Sequence, residues 1–258
     1  MEDQIHFDLG LGPWSEPIAK RVLGLAEAER LYSLLRRGDN SSPAHFCKKS
    51  LEALGVSFEL PHEQLHALRQ IEGPLILAAN HPLGVVDALV LMVLMGELRP
   101  DFKFMGNSIL TALPELAPVL VPVHIMGEAA HAAANFTVLK SALRYLKGGG
   151  LLGLFPAGEV ALTAEHPWHE HLGRLVKKSQ ATVVPLFFED RNSPLFRYLG
   201  LVVPPLRLAL LAREMLRFKR PVRFKLGSPV AGAESAAFAD AALLTLHLRR
   251  RTLGLCSQ

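Results

Sequence analysis

The sequence predicts an α/β fold in which a largely parallel central sheet is flanked by helices. Two observations support this prediction: six short apolar runs are typical of buried strands, and longer segments with helical periodicity separate most of them. The 258 residues, half of them hydrophobic, are enough to bury a sizeable core without disulfides or metals. The strands are predicted at Leu75–Ala79, Phe102–Met105, Val119–Ile125, Leu151–Phe155, Thr182–Phe188 and Val222–Leu226.

The chain before the first sheet strand is predicted to be a helical appendage over residues 1–70, packed on an α/β domain over residues 71–258. An irregular leader over residues 1–16 precedes apolar spacing that is typical of an amphipathic helix over Ile18–Arg37. Strand-like runs replace this helical pattern from Leu75 onward, which indicates where the α/β domain begins.

A second appendage helix has clear start and stop signals. Ser42 is expected to cap it, with Pro43 at its first position and Gly55 at its end. Apolar and polar residues then alternate over 56–60, which predicts a short strand.

The helices of the α/β domain are predicted between its strands. In open parallel sheets, ligands bind outside the carboxyl ends of the strands, so residues that directly follow strands are the candidates for function. The predicted helices are Val86–Gly96, Glu128–Lys147, Trp168–Gln180 and Pro204–Phe218.

Charge is distributed unevenly along the chain. Residues 1–170 carry 13 basic and 19 acidic residues, whereas residues 171–258 carry 15 and 5. A basic C-terminal third indicates an anionic partner, either nucleic acid or a phospholipid surface. Only 7% of residues are aromatic, and no nucleic-acid-binding motif accompanies the basic residues, so no nucleic-acid partner is expected.

Targeting signals and cysteine content predict a cytoplasmic protein. The acidic N-terminus lacks the basic and apolar regions of a signal peptide. The most apolar stretch, Leu75–Met95, contains Asn80, His81 and Asp87, whereas a spanning helix needs ~20 predominantly apolar residues. Two distant cysteines give neither a disulfide framework nor zinc-finger spacing.

The most informative polar cluster follows the first sheet strand. Asn80 and His81 come directly after it, Pro82 and Gly84 favour a tight turn, and Asp87 falls in the first turn of the next helix. A carboxylate there can turn back to the imidazole and fix its tautomer, as in a catalytic dyad. The alternative is a loop histidine bonded to the backbone beside an aspartate that only caps the helix; residue types alone do not decide between them.

A second loop, after the predicted strand 151–155, carries the residues Phe155, Pro156, Gly158 and Glu159. A carboxylate at the end of a strand can bind a hydroxyl or an amine. The alternative is an ordinary turn from strand to helix.

Together the two loops resemble the lysophospholipid acyltransferase superfamily, which includes the glycerophosphate and acylglycerophosphate acyltransferases. The family has an Asn-His pair, a spacer and an Asp, followed further along the chain by a Phe-Pro-x-Gly block. Asn80, His81 and Asp87 match the first block, and residues 155–158 match the second. The resemblance runs from about residue 21 to residue 229, and residues 181–193 look like the family's later strand and loop.

Departures from the common motifs resemble a bacterial branch called hemolysin-like or ornithine-lipid-type. Five residues separate His81 from Asp87 instead of four, and the acid of the second block is displaced to Glu159. The arginines that fit the acceptor phosphate in the main branch are also missing. The chain therefore lacks the usual residues of a phosphate clamp, and Arg191 is the nearest substitute for them.

The resemblance implies a peripheral O-acyltransferase on the cytosolic face of the inner membrane. It moves a fatty acyl group from a thioester of acyl carrier protein or coenzyme A to a lysolipid hydroxyl, with lyso-ornithine lipid or another aminoacyl lysolipid favoured. His81 is implied as the base and Asp87 as its orienting partner; no cofactor and no metal are expected. The residues implied to bind or shape the substrate are Asn80, Gly84, Phe155, Pro156, Gly158, Glu159, Arg191 and Asn192.

The basic third also contains a candidate membrane-contacting segment. Leu195–Arg220 mixes apolar residues with arginines, as an interfacial helix does, or as a core helix with a solvated basic rim does. Residues 195–225 are therefore expected to contact an anionic membrane surface. Arg249–Arg251 either add to this surface or complement the end of the last helix.

Three alternatives stay open. The first is a lysophosphatidate acyltransferase, and the second is a non-catalytic lipid-binding protein of the same fold. The third is a metal-dependent hydrolase, because His62–His66 matches H-E-x-x-H on a short helix and residues 165–171 are rich in histidine.

Overall fold

The core of the fold is a six-stranded sheet with the strand order β3-β2-β4-β1-β5-β6. The computed structural model describes residues 24–38, 41–124, 129–202 and 207–257. Neighbouring strands are parallel except β5 and β6, which are antiparallel, so the predicted fold class is confirmed. The strands are β1 Leu75–Ala79, β2 Lys103–Asn107, β3 Leu120–Val123, β4 Leu151–Leu154, β5 Thr182–Phe188 and β6 Phe224–Leu226.

Helices cover both faces of this sheet. Short 3₁₀ turns occupy Ser108–Ala112, Pro114–Leu116, Gly232–Ala237 and Leu255–Ser257. The α-helices are α1 Leu25–Arg36, α2 Pro43–Ala53, α3 His62–Arg69, α4 Val85–Leu98, α5 Ala129–Lys147, α6 His171–Ser179, α7 Pro194–Val202, α8 Arg207–Arg217 and α9 Ala241–Gly254.

The central strand β1 shows how the core is divided. All five of its residues are buried, as expected for a parallel strand covered on both faces. Leu75, Leu77 and Ala79 pack in one core with residues of α2, α3 and α4. Ile76 and Ala78 point to the other face and pack with residues of α5, α6 and α9. Helices α2 and α3 therefore share a core with the sheet, while the boundary at residue 70 stays a prediction.

The capping signals of α2 act as expected. The Ser42 side chain accepts the backbone N–H of His45, and Pro43 opens the helix. Gly55 then turns the chain with a φ of 70°, a conformation that favours glycine.

Three predicted elements need correction. Residues 56–60 form no strand, because the segment joins no ladder of the sheet; the Ser57 carbonyl accepts an isolated hydrogen bond from the Val222 N–H. The helix predicted from Trp168 begins at His171, because residues before it form a loop with Trp168 buried. Residues 207–217 of the helix predicted over 204–218 form α8, and residues 204–206 lie outside the described residues. A separate helix, α7, precedes α8.

Some predictions fall outside the described residues, namely the leader over 1–16 and the first part of the helix over 18–37. Within the described ranges, no helix has both the length and the apolar character that a bilayer crossing requires.

The strand order determines where polar loops meet. Strand β1 lies between β4 and β5 and runs parallel to both, so the carboxyl ends of the three strands share one edge of the sheet. The loops that follow these strands carry nearly all of the candidate site residues. Helices α7 and α8 pack beside this edge through a small apolar cluster that includes Leu162, Phe196 and Leu210.

Candidate active site

Asn80 ties the end of β1 to the end of β5. Its side-chain Nδ2 donates to the Phe188 carbonyl at 3.0 Å, and its Oδ1 accepts the Phe188 N–H at 2.7 Å. The side chain is buried, and its amide makes the same pair of hydrogen bonds to Phe188 that a neighbouring backbone would make in a β-bridge. The structure therefore gives Asn80 a positioning role, and its predicted contact with substrate stays a prediction.

His81 and Asp87 form a hydrogen-bonded pair at the carboxyl edge of the sheet. Nδ1 of His81 lies 3.1 Å from Oδ1 of Asp87. Oδ2 of Asp87 accepts the Leu83 N–H at 2.8 Å. Because a carboxylate only accepts, this contact places a proton on Nδ1 and leaves the Nε2 lone pair available. The Asp87 side chain is fully buried, whereas 15% of the His81 side chain is exposed.

The turn between these two residues depends on Gly84. Gly84 precedes α4 with a φ of 79° and a ψ of −98°, which a residue with a Cβ rarely adopts. A Cβ at this position would also lie 2.6 Å from Cδ2 of Leu211 in α8. The structure gives Gly84 a role in the turn that returns Asp87 to the imidazole, and its predicted contact with substrate stays a prediction.

Phe155 sets the plane of the His81 ring. The two rings stack with centroids 3.8 Å apart and an interplanar angle of 11°. Phe104 of β2 also contacts Phe155 in an edge-to-face arrangement, with ring centroids 6.0 Å apart. An aromatic face stabilises a cation placed over it, so Phe155 favours the protonated imidazole as well as its orientation.

The rest of the second loop wraps the end of β1. Gly158 has a φ of 71° and donates its N–H to the Phe155 carbonyl, while the Pro156 carbonyl accepts the His169 N–H. Ala161 donates its N–H to the His81 carbonyl at 2.8 Å. The loop is therefore hydrogen-bonded to the main chain of His81 and does not lead directly into a helix.

A carboxylate that the motifs do not include also reaches His81. Oε2 of Glu165 accepts the His81 backbone N–H at 3.3 Å, and Oε1 accepts the Trp168 indole N–H at 2.9 Å. Burial raises the pKa of Glu165, and the N–H donors of Trp168 and His81, with the charges of His81 and Arg249, act in the opposite direction. The sequence offered no spacing that would connect Glu165 or Arg249 with His81.

Three predicted substrate-binding residues lie further out. Glu159 and Arg191 are exposed, in the loops after β4 and β5. Asn192 is buried, and its Nδ2 has no partner among the described residues. No contact within the described ranges joins the side chain of Arg191 or Asn192 to His81, so their roles stay predictions.

The histidine-rich segments are organised without a metal site in the described part of the chain. His62 and His66 are exposed on α3, and no group of three or more metal-ligating side chains converges among the described residues. Glu165, from the second histidine-rich segment, is bonded to His81 and Trp168 instead.

The arrangement can remove a proton from a bound hydroxyl. Asp87 and Phe155 hold the imidazole, stabilise its charged form and direct Nε2 away from the buried carboxylate. A histidine–aspartate pair at the carboxyl edge of a central strand is an arrangement suited to acid–base catalysis. Comparisons with known proteins then identify the class of enzyme more closely.

The model of the acyltransferase family matches residues 59–189, which include both loops of the site. The chain therefore belongs to the acyltransferase family of enzymes, and its resemblance to the lysophospholipid acyltransferase superfamily is confirmed. The bacterial branch stays a prediction.

Two curated relatives carry the same printed name. A lyso-glycine lipid O-acyltransferase of Phocaeicola vulgatus is 27% identical over 212 residues, which cover 72% of each chain. A lyso-glycine lipid O-acyltransferase of Bacteroides thetaiotaomicron is 29% identical over 168 residues, covering 58% of this chain and 59% of that protein.

A solved structure has the same fold. The 1-acyl-sn-glycerophosphate (LPA) acyltransferase PlsC of Thermotoga maritima superposes with a TM-score of 0.54 at 16% identity. The match covers 93% of this chain and 87% of that chain.

The Asn80 bridge makes a testable prediction. Asn80→Ala leaves the Phe188 N–H and carbonyl without partners in a buried place, so the free energy of unfolding should fall by about 1–3 kcal/mol. Urea denaturation followed by circular dichroism measures this loss. Asn107→Ala, which removes a local bond to the exposed Ile109 N–H, is the control and should cost less. Equal losses for the two variants would contradict the positioning role.

Proposed function

We propose that this protein is an O-acyltransferase that esterifies the hydroxyl of an aminoacyl lysolipid, with His81 as general base and Asp87 as its orienting partner. The observation that carries the proposal is the 3.1 Å contact between His81 Nδ1 and the buried Asp87 carboxylate at the carboxyl edge of the sheet. Membership of the acyltransferase family supplies the reaction class.

The proposed reaction needs no covalent enzyme intermediate. The acceptor hydroxyl gives its proton to Nε2 of His81 while its oxygen attacks the carbonyl carbon of an acyl thioester. The carbon–sulfur bond breaks, and Nε2 returns the proton to the leaving thiolate. The products are the ester and a free thiol, on acyl carrier protein or coenzyme A. The negative charge of Asp87 and the π face of the stacked Phe155 ring stabilise the imidazolium between these two steps.

The dyad is tested by acyl transfer with purified protein in lipid vesicles. His81→Ala should lower kcat about 10²–10⁴-fold, since the base is lost. Asp87→Asn should also lower kcat, because an amide no longer selects the tautomer protonated on Nδ1. His62→Ala with His66→Ala is the matched control, and it should behave like the wild type with and without a chelator. Full activity of folded His81→Ala would refute the dyad, and loss of activity in the control would favour a metal-dependent hydrolase.

An aminoacyl lysolipid is the proposed acceptor for two reasons. The arginines that fit a glycerophosphate acceptor are missing from the motifs, and both curated relatives are named for a lyso-glycine lipid. Within this class, lyso-ornithine lipid is favoured by the motif branch and by the exposed Glu159, whose carboxylate can pair with an amine.

A panel of acceptors tests this preference. We expect kcat/KM for lyso-ornithine or lyso-glycine lipid to exceed that for lysophosphatidate by about tenfold or more. Glu159→Gln should lower transfer to lyso-ornithine lipid and leave transfer to lyso-glycine lipid unchanged, because only ornithine carries a side-chain amine. Preference for lysophosphatidate would establish the alternative acceptor. Vesicle binding without any transfer would indicate a lipid-binding protein of this fold.

We also propose that α7 contacts the membrane. Its exposed apolar side chains include Tyr198, 66% exposed, and Leu201, 56% exposed. With Leu195 and Val202 they follow helical spacing along one side of α7. Exposed arginines, among them Arg191 and Arg220, lie in the loops that follow β5 and α8. An apolar stripe near basic residues suits an anionic leaflet.

Charge introduced into this stripe should weaken membrane binding. Tyr198→Asp with Leu201→Asp should reduce binding to vesicles of anionic phospholipid by about tenfold or more, measured by co-sedimentation. Leu243→Asp, at a half-exposed position on α9, is the control and should bind like the wild type. Equal binding by all three proteins would exclude α7 as the contact.

A further inference from the structure

The loop after β4 holds the main chain of His81 on both sides. The His81 carbonyl accepts the Ala161 N–H at 2.8 Å, and the His81 N–H donates to Oε2 of Glu165 at 3.3 Å. No regular sheet ladder fixes this residue, because β1 ends at Ala79. The position of the imidazole therefore depends on a side-chain carboxylate that lies 84 residues away in sequence.

Glu165 is itself held from two other elements. The Trp168 indole N–H donates to Oε1 at 2.9 Å, so each carboxylate oxygen accepts one N–H group. From α9, Arg249 donates to the carbonyls of Glu165 and His166, at 2.7 Å and 3.2 Å. The Arg249 guanidinium thus holds the backbone of Glu165, which in turn holds the main chain of His81. These hydrogen bonds connect α9 to the site.

The charges near the imidazole give this carboxylate a second effect. Asp87 faces His81 from α4, Glu165 faces it from the loop after β4, and Arg249 acts on Glu165 from α9. Oε2 of Glu165 lies 3.3 Å from the backbone nitrogen of His81, so this carboxylate is close to the imidazole of the same residue. A second negative charge beside His81 stabilises its protonated form, which exists only after the acceptor hydroxyl has lost its proton.

We propose that Glu165 is a positioning residue for His81, which holds the His81 main chain, adds negative charge beside the imidazolium and is anchored by Arg249. This inference rests on the proposed function, because it assumes that His81 is the base. It also gives a role to an acidic residue near His81 that lies outside both motif blocks.

Glu165→Gln separates charge from size. The amide keeps one acceptor but turns an NH₂ group toward one of the two N–H donors, and it removes the negative charge. We expect kcat to fall about 10- to 100-fold with KM nearly unchanged, since the base is displaced but the substrate surface is not. The acidic limb of the pH profile of kcat/KM should move to lower pH, because the imidazolium loses a neighbouring anion.

Glu165→Asp keeps the charge and loses the reach of one methylene group. It should lower kcat while the acidic limb stays at its wild-type pH. Glu170→Gln is the matched control: Glu170 is partly exposed, pairs with Arg174 within the same segment, and should leave kcat and the limb unchanged. Arg249→Lys cannot hold both carbonyls, so it should lower kcat without moving the limb.

The outcomes that overturn the inference are distinct from failure of the proposed function. If His81→Ala is inactive while Glu165→Gln matches Glu170→Gln, Glu165 is not a positioning residue. A lower kcat with an unmoved limb in Glu165→Gln would refute the electrostatic part. Should Glu165→Gln fail to fold by circular dichroism, full kcat in Glu165→Asp overturns the inference. Activity retained in His81→Ala would instead refute the function on which the inference rests.

Discussion

Burial of the Asp87 carboxylate is the constraint from which the geometry of the site follows. A buried charge is costly unless donors surround it, and here the donors are the Leu83 N–H and the His81 ring. The position of Asp87 in the first turn of α4 is also favourable for a negative charge. To supply these donors, the chain must turn back within the six residues after His81. That turn requires the positive φ of Gly84, and it places the imidazole at the mouth of the loop. The contacts that stabilise the turn therefore also orient the imidazole.

The sheet provides the frame for this turn. Because β1 lies between β4 and β5, residues from three loops meet at its carboxyl end: Asn80 bonds to Phe188 on one side, and Phe155 stacks on His81 from the other. The imidazole is thus fixed by an aspartate, an aromatic ring and its own main-chain bonds. An acyltransferase of this kind needs such rigidity, because a base that must accept a proton and then return it has to stay in reach of two different atoms.

The surface around the site is suited to a lipid-borne acceptor. Leu162 of the loop after β4 shares an apolar cluster with Phe196 of α7 and Leu210 of α8. Helix α7, which carries the exposed apolar stripe, is therefore packed directly on the loop after β4. Contact of α7 with a bilayer would place the site close to the lysolipid headgroups. If the proposed membrane contact holds, membrane binding and catalysis share a structural element, because α7 is where four of the exposed large apolar side chains of the described residues lie.

The sequence by itself determined the fold class, the six strands, the start and end of α2 and the residues of both motif blocks. These features depend on local signals: apolar runs, capping residues, and a histidine with a nearby aspartate in one turn. It did not determine that residues 56–60 stay outside the sheet, that Asn80 bonds to Phe188, or that Glu165 and Arg249 support His81. The contacts of Asn80, Glu165 and Arg249 join residues that are between 83 and 108 positions apart in sequence. Only the packing of α9, β5 and the loop after β4 around β1 brings them together, because side-chain contacts over such separations leave no periodicity in the chain.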